Sequence, residues 1–218
     1  MSSTSGMSSP RPRRRRSLLR TVAGAALLVV ALAVLSTGLQ GIGRRIDLWR
    51  APWADAGRGS TLTGTWVGSL TTGRGARRAV LLDLRAKLPS DRPPRGGRRR
   101  ARRGSSPSLT GNAVMCGGPA GEQRFTVHGR PRDREGSQLY LGVGTADSVP
   151  RDGLAPSNMR GRWNGGDSLA LEVDLYLRKG VSAITATDDP DTGAPTPLRM
   201  ARGTESQFRA LCRRIASR

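Results

Sequence analysis

The sequence predicts a mainly β fold, an antiparallel β-barrel or sandwich of about eight or nine strands with a C-terminal amphipathic helix, preceded by one N-terminal transmembrane helix. Three observations carry this prediction. Residues 21–39 form an apolar run behind an arginine-rich leader. From Thr61 the apolar residues recur with a period of two and are punctuated by Gly, Pro, Asn and Asp, the pattern of short strands joined by turns. After Thr204 the period changes to that of a helix. The chain is therefore divided into a basic cytoplasmic tail (1–20), a transmembrane anchor or signal segment (21–43), a juxtamembrane linker (44–60) and an extracytoplasmic β domain (61–218), which carries a disordered Arg-rich loop at 89–107.

Between Arg20 and Arg44 lie 23 uncharged residues, where a spanning helix needs roughly 20. The strongly apolar part, Val22 to Leu35, is 14 residues and also fits a secretory h-region, for which Ser36-Thr37-Gly38 is the best small-residue cleavage site. Anchor and cleaved signal thus compete, with the anchor preferred. Arg11, Arg13, Arg14, Arg15, Arg16 and Arg20 outweigh Arg44 and Arg45, so the N-terminus stays in the cytoplasm and the rest is translocated. Arg15 to Arg20 is similar to a twin-arginine export signal, departing from it at Arg14 and Leu18.

The formal net charge is +21, and all but two of the 37 basic residues are arginine, the exceptions being Lys87 and Lys179. Such a charge ordinarily points to nucleic acid. A translocated domain does not meet the genome, so the membrane, anionic lipids or envelope polyanions are the expected partners. Cys116 and Cys212 suit an oxidising compartment, where a pair can close into a disulfide; two buried free thiols are the alternative.

The linker holds Trp49 and Trp53, which either sit in the lipid head-group layer or pack on the domain. In the first strand Leu62, Gly64, Trp66, Gly68 and Leu70 share one face and the threonines the other. Thr72 to Gly75 supplies a turn, and the next strand alternates Val80, Leu82, Leu84, Ala86 and Leu88 against Asp83, Arg85 and Lys87. Pro89 to Pro107 contains four prolines and Arg92, Arg95, Arg98, Arg99, Arg100, Arg102 and Arg103. Such a stretch buries too little apolar surface to offset its ordering entropy. It is either a polybasic arm contacting a polyanion or a tolerated insertion at a hairpin tip. Strands follow at Leu109 to Cys116, Gln123 to His128 and Gln138 to Val143, then, after a loop containing Pro150 and Pro156, at Asn158 to Trp163. Asn164 to Asp167 turns into the clearest strand, Leu169 to Leu177, and shorter ones lie near Ala183 to Thr187 and Pro197 to Met200. Thr204-Glu205-Ser206-Gln207 matches a capping box, and Phe208, Leu211, Cys212 and Ile215 form one helical stripe, within reach of a strand ending at Cys116.

Gly64-Thr65-Trp66 in the first strand, an antiparallel series after it and a terminal helix resemble the calycin group, the lipocalin and avidin barrels. The resemblance implies a barrel with an internal cavity for a small apolar ligand, with Trp66 lining it or plugging its closed end. The basic insertion departs from the short hairpin usual in that group.

Catalytic patterns are few. His128 is the one histidine and faces away from Phe125 and Val127. Gly166 to Ala170 approaches a nucleophile elbow, but it opens a strand where the elbow needs a helix. Glu172 and Asp174 share a wet face and read as solvated, and Asp188, Asp189 and Asp191 read as an Asp-Pro turn rather than a calcium loop. No catalytic, cofactor or metal residue is assigned. The expected function is a single-pass membrane protein displaying a non-catalytic β domain for binding or scaffolding in the cell envelope. The alternatives are an exported barrel carrying a small hydrophobic ligand and a hydrolase with an unrecognised carboxylate site.

Overall fold

The computed structural model describes residues 29–30, 33, 35, 41–91, 106–118, 121–145, 152–179, 182–184, 191–192 and 194–217. The chain divides into two compact units, 1–43 and 44–218. In the first, the described residues are helical, and Val29, Val30 and Leu35 are exposed. Among the described residues no helix is long and apolar enough to cross a membrane; most of the segment 21–43 lies outside them.

The second unit is a closed antiparallel barrel. Its strands are β1 (Gly64–Thr71), β2 (Arg77–Lys87), β3 (Ser108–Gly118), β4 (Gly121–Pro131), β5 (Gln138–Thr145), β6 (Asp152–Trp163), β7 (Ser168–Lys179), β8 (Ser182–Ile184) and β9 (Thr196–Arg202), followed by the helix α1 (Glu205–Ala216). Each of β1 to β7 pairs with the next, β7 also pairs with β9, and β9 pairs with β1, so eight strands close a ring. The short β8 lies along the same edge of β7 as β9, beside Leu177 to Lys179, while β9 takes Ser168 to Val173. Closure removes the unpaired edges that a sandwich leaves exposed, which decides the barrel over the sandwich.

Alternation builds two cores. Inward residues such as Trp66, Leu82, Leu84, Phe125, Leu141, Val173 and Leu198 fill the interior and are almost completely buried. On the outside, Val67, Ala79, Leu81, Val114 and Cys116 form an apolar patch that α1 covers with Phe208, Leu211, Cys212 and Ile215. The helix starts where expected: Thr204 accepts from Gln207 N while its own N–H donates to the Gln207 side chain.

The ladder corrects one boundary. Pro156 does not sit in a loop but inside β6, at a register shift between Pro156 and Asn158. Proline cannot donate to a ladder and is tolerated where a bulge interrupts it. Residues 44–60 pack on the barrel, the second of the two expectations: residues 44–50 are helical, two short 3-10 turns follow, and Asp47, Ala51 and Trp53 are buried. Ala51 and Trp53 belong to the interior core. Three residues at the start of the expected disordered loop, Pro89–Asp91, also form a 3-10 turn.

The register distinguishes two ends. The entry end carries residues 44–62 and the β2–β3, β4–β5 and β6–β7 connections; the far end carries the β1–β2, β3–β4 and β5–β6 connections.

Candidate functional site

The entry end combines burial and exposure in one short helix. Asp47 is buried and its Oδ2 accepts from Ser90 N at 2.8 Å, while Asp91 Oδ2 accepts from Leu88 N at 3.0 Å. These bonds fix the start of the β2–β3 connection against residues 44–50. On the opposite face Ile46 is 47% and Trp49 58% exposed, three residues apart on a helix and therefore on one side of it. Arg44, Arg45 and Arg50 are exposed around them. Arg134 stacks 4.2 Å from the Trp49 ring centroid and donates from Nη2 to Trp49 O at 3.0 Å. The two tryptophans thus divide the two expectations: Trp53 packs on the barrel, and Trp49 is left at the surface.

The turn that supplies Arg134 is tied together by Asp133. Asp133 accepts from Ser137 N at 2.7 Å and from Gln138 N, as well as from the Ser137 hydroxyl. Burial alone would raise the Asp133 pKa, but these hydrogen bonds, with one from Gly136 N, outweigh it and hold the carboxyl below its ordinary value. Gly136 has φ of 80° and lies against Trp53, where a Cβ would come within 2.7 Å of the indole side chain. Only glycine lets the turn rest there.

Trp66 is completely buried at the entry end of the interior. Its Nε1 donates to Leu62 O at 3.0 Å, and the Arg202 guanidinium lies 4.0 Å from its ring centroid. Arg202 also donates to Thr63 O and sits 3.9 Å from Asp167. Desolvation lowers the Arg202 pKa and Asp167 opposes that shift. The arrangement seals the barrel rather than opening it: Trp66, Leu82, Leu141 and Val173 have no exposed surface, so no ligand-sized space adjoins them. Arg202 carried no signal in the sequence, because a basic residue at the end of a short strand usually faces water.

Cys116 and Cys212 are bonded to each other, with Cα atoms 5.9 Å apart and a sequence separation of 96. The bridge joins the outer face of β3 to α1. Arg92, Arg95, Arg98, Arg99, Arg100, Arg102 and Arg103 lie outside the described residues. The segment containing them leaves β2 and enters β3 at the entry end, because Lys87 pairs with Ser108 there.

The outer wall does not assemble a catalytic constellation from the residues named. Glu172 and Asp174 do share a face, but Arg160 lies 3.4 Å from both carboxylates. His128 is exposed on β4, and Asp191 accepts from Arg74 N at 2.7 Å, while Asp188 and Asp189 are outside the described residues. Among the described residues no group of three His, Cys, Asp or Glu side chains is placed to hold a metal ion.

Fold and site together define an eight-stranded antiparallel barrel, braced outside by a disulfide-linked helix, with an apolar and basic surface at one end. No known protein family, curated protein or solved structure matches the chain.

Proposed function

We propose that the chain is a single-pass membrane protein with a cytoplasmic N-terminus, whose extracytoplasmic barrel binds or scaffolds partners in the cell envelope without catalysis, and whose entry end rests on the anionic membrane surface. The observation that carries this reading is the grouping at one barrel end of exposed Ile46 and Trp49, exposed Arg44, Arg45 and Arg50, and both ends of the Arg-rich segment. Aromatic and basic residues together suit the head-group layer, where tryptophan is amphipathic and each arginine near an anionic surface is worth about 1 kcal/mol. The barrel unit also begins at this end, at Arg44, directly after the apolar run.

The closed antiparallel barrel is compatible with calycin-like architecture, and in that reading Trp66 is the plug. A carrier of a small hydrophobic ligand is the second reading. The filled interior around Trp66 and Leu141 weighs against it.

Brominated-lipid quenching of the full chain in anionic nanodiscs tests the first reading. Trp49 is the exposed tryptophan among four, so quenching should appear and should vanish in Trp49→Phe. Equal quenching in the variant, or none in either chain, rejects the membrane-facing end. Carbonate extraction with N-terminal sequencing tests the anchor separately: a soluble chain beginning near Leu39 rejects it.

A further inference from the structure

On the outer wall, one rank of the ladder brings arginines from distant parts of the chain into line. Gln138 pairs with Arg162, Arg162 with Ala170, and Ala170 with Arg199. Arg132, one residue past β4, continues the rank opposite Gln138, its N–H donating to Gln138 O at 2.8 Å. All five residues are exposed, because the alternate positions Leu139, Trp163, Leu169 and Leu198 take the inner face. Neighbouring strands lie about 4.8 Å apart, so arginines on alternate strands stand about 10 Å from one another along a line round the wall. An uncharged residue separates each pair: Gln138 between Arg132 and Arg162, Ala170 between Arg162 and Arg199. A trough of about 670 Å³ lies on this rank, lined by the five residues together with Arg160 and Glu172.

The charge of the rank is left open. Elsewhere on the wall Arg85 is paired with Asp83 and Arg124 with Glu122, and in the adjacent rank Arg160 takes both Glu172 and Asp174. Among the described residues no carboxylate is paired with Arg132, Arg162 or Arg199. Glu172, the acid at the border of the trough, is thus held by Arg160. Arg132 is steadied by Tyr140, whose ring centroid lies 5.7 Å from its guanidinium, and exposed Arg130 beside Tyr140 adds to the same field. Charges about 10 Å apart are separated by one screening length at ordinary ionic strength, so a polyanion laid along the rank gains three contacts that do not compete.

We infer that this rank is a docking surface for a linear acidic polysaccharide in which carboxylate sugars alternate with neutral ones. Each guanidinium fork matches the two oxygens of a carboxylate. The neutral sugars fall over the uncharged positions, where the Gln138 amide both donates to and accepts from hydroxyls and Ala170 leaves room for a ring. A polymer charged at every unit would set anions over Gln138 and Ala170, where no cation meets them. Three weak contacts on one chain reinforce each other, since the second and third are intramolecular. The inference names a partner for the binding role proposed above and rests on that role, but not on the membrane contact of Trp49.

The test is a calorimetric titration of the full chain in neutral nanodiscs with hyaluronan hexasaccharide, whose carboxylate sugars alternate with neutral ones, and separately with inorganic polyphosphate. The native chain should bind the hexasaccharide saturably. Joint Arg132→Gln, Arg162→Gln and Arg199→Gln should weaken that binding about tenfold, the sum of three exposed ion pairs. Joint Arg124→Gln, Arg213→Gln and Arg214→Gln removes the same charge at the far end and should leave it unchanged. Arg162→Lys keeps the charge but loses the fork, and should also weaken it. Polyphosphate affinity should fall no further in the first triple variant than in the second. No saturable binding, equal losses of hexasaccharide binding in the two triple variants, full binding by Arg162→Lys, or a polyphosphate loss specific to the first triple overturns the inference. Should that triple fail to fold, the native titration and Arg162→Lys decide. Trp49→Phe should bind the hexasaccharide as the native chain does, so failure of the membrane contact and failure of the glycan surface read separately.

Discussion

Trp66 shows how much of this barrel's closure depends on single contacts. Its indole fills the entry end, its Nε1 donates to Leu62 O, and Arg202 covers its face. Removing the side chain should cost about 3–5 kcal/mol, the range for burying a cavity of that size. Trp66→Phe should cost less than that but more than a volume change alone, because Leu62 O loses its donor. Urea unfolding of Trp66→Phe and Trp66→Ala measures both, and a Trp66→Phe chain as stable as the native one would reject the hydrogen bond as a contributor. Asp133 provides a pH-dependent counterpart. Its folded pKa is depressed, so the stability it contributes is present above the ordinary carboxylate value of about 3.9 and is lost as pH falls through the lower folded value. Asp133→Asn should therefore be less stable at neutral pH and lose less stability on acidification than the native chain. Denaturant midpoints taken from neutral to strongly acidic pH read this directly, and parallel profiles would show that the turn does not respond through Asp133. The sequence showed Trp66 inward by alternation, whereas its partner Arg202 was invisible there. A pattern of period two reports which face a residue takes, but not which distant strand end will arrive beside it.

Elements were more legible than their limits. Eight strands were readable from alternation because a half-buried sheet must separate apolar from polar residues at every second position. The capping box at Thr204 and the stripe of Phe208, Leu211, Cys212 and Ile215 were readable for the same kind of reason, since both are local. Pro156 was misread because proline marks loops in general, and only the ladder shows that a bulge accommodates it in β6. For residues 44–60 the sequence left both placements of the tryptophans open, because Ala51 and Trp53 carry no periodicity; they are buried by the turns around them. The α1 helix lets the element scale be tested. Thr204→Ala should remove the half of the cap that the hydroxyl accepts and cost about 1 kcal/mol. Replacing Cys116 and Cys212 by serine should cost more, up to about 4.7 kcal/mol for a loop near a hundred residues, as the unfolded chain regains freedom. Thermal melts of the two variants rank these effects, and a cap variant as damaging as the loss of the bridge would reverse the assignment of what holds the helix down.

For the whole molecule, closure and address constrain each other. Among the described residues the closed ring leaves only short sheet edges, at β8 and the start of β6, so recognition falls mainly to the ends or the outer wall. The two ends differ chemically: the entry end exposes Ile46, Trp49 and arginines, while the far end turns polar inside. A bridge between Cys116 and Cys212 fits a translocated barrel, because thiols in a reducing cytosol stay apart. Alkylation of the chain in intact cells before any reductant should therefore leave both cysteines unmodified, with both reacting after reduction; alkylation without reductant would place the barrel on the reducing side. The Arg-rich segment provides the last test. Its ends are held at the entry end by β2 and β3, so removal of residues 92–103 should leave the barrel's melting unchanged while taking away seven arginines. If those arginines meet anionic lipid, the Trp49 quenching difference between anionic and neutral nanodiscs should shrink in the deleted chain and fall further as salt is raised, since exposed charges are screened within about 10 Å at ordinary ionic strength. An unchanged lipid preference would assign the segment to a tolerated insertion and leave Ile46, Trp49 and the arginines beside them as the membrane contact.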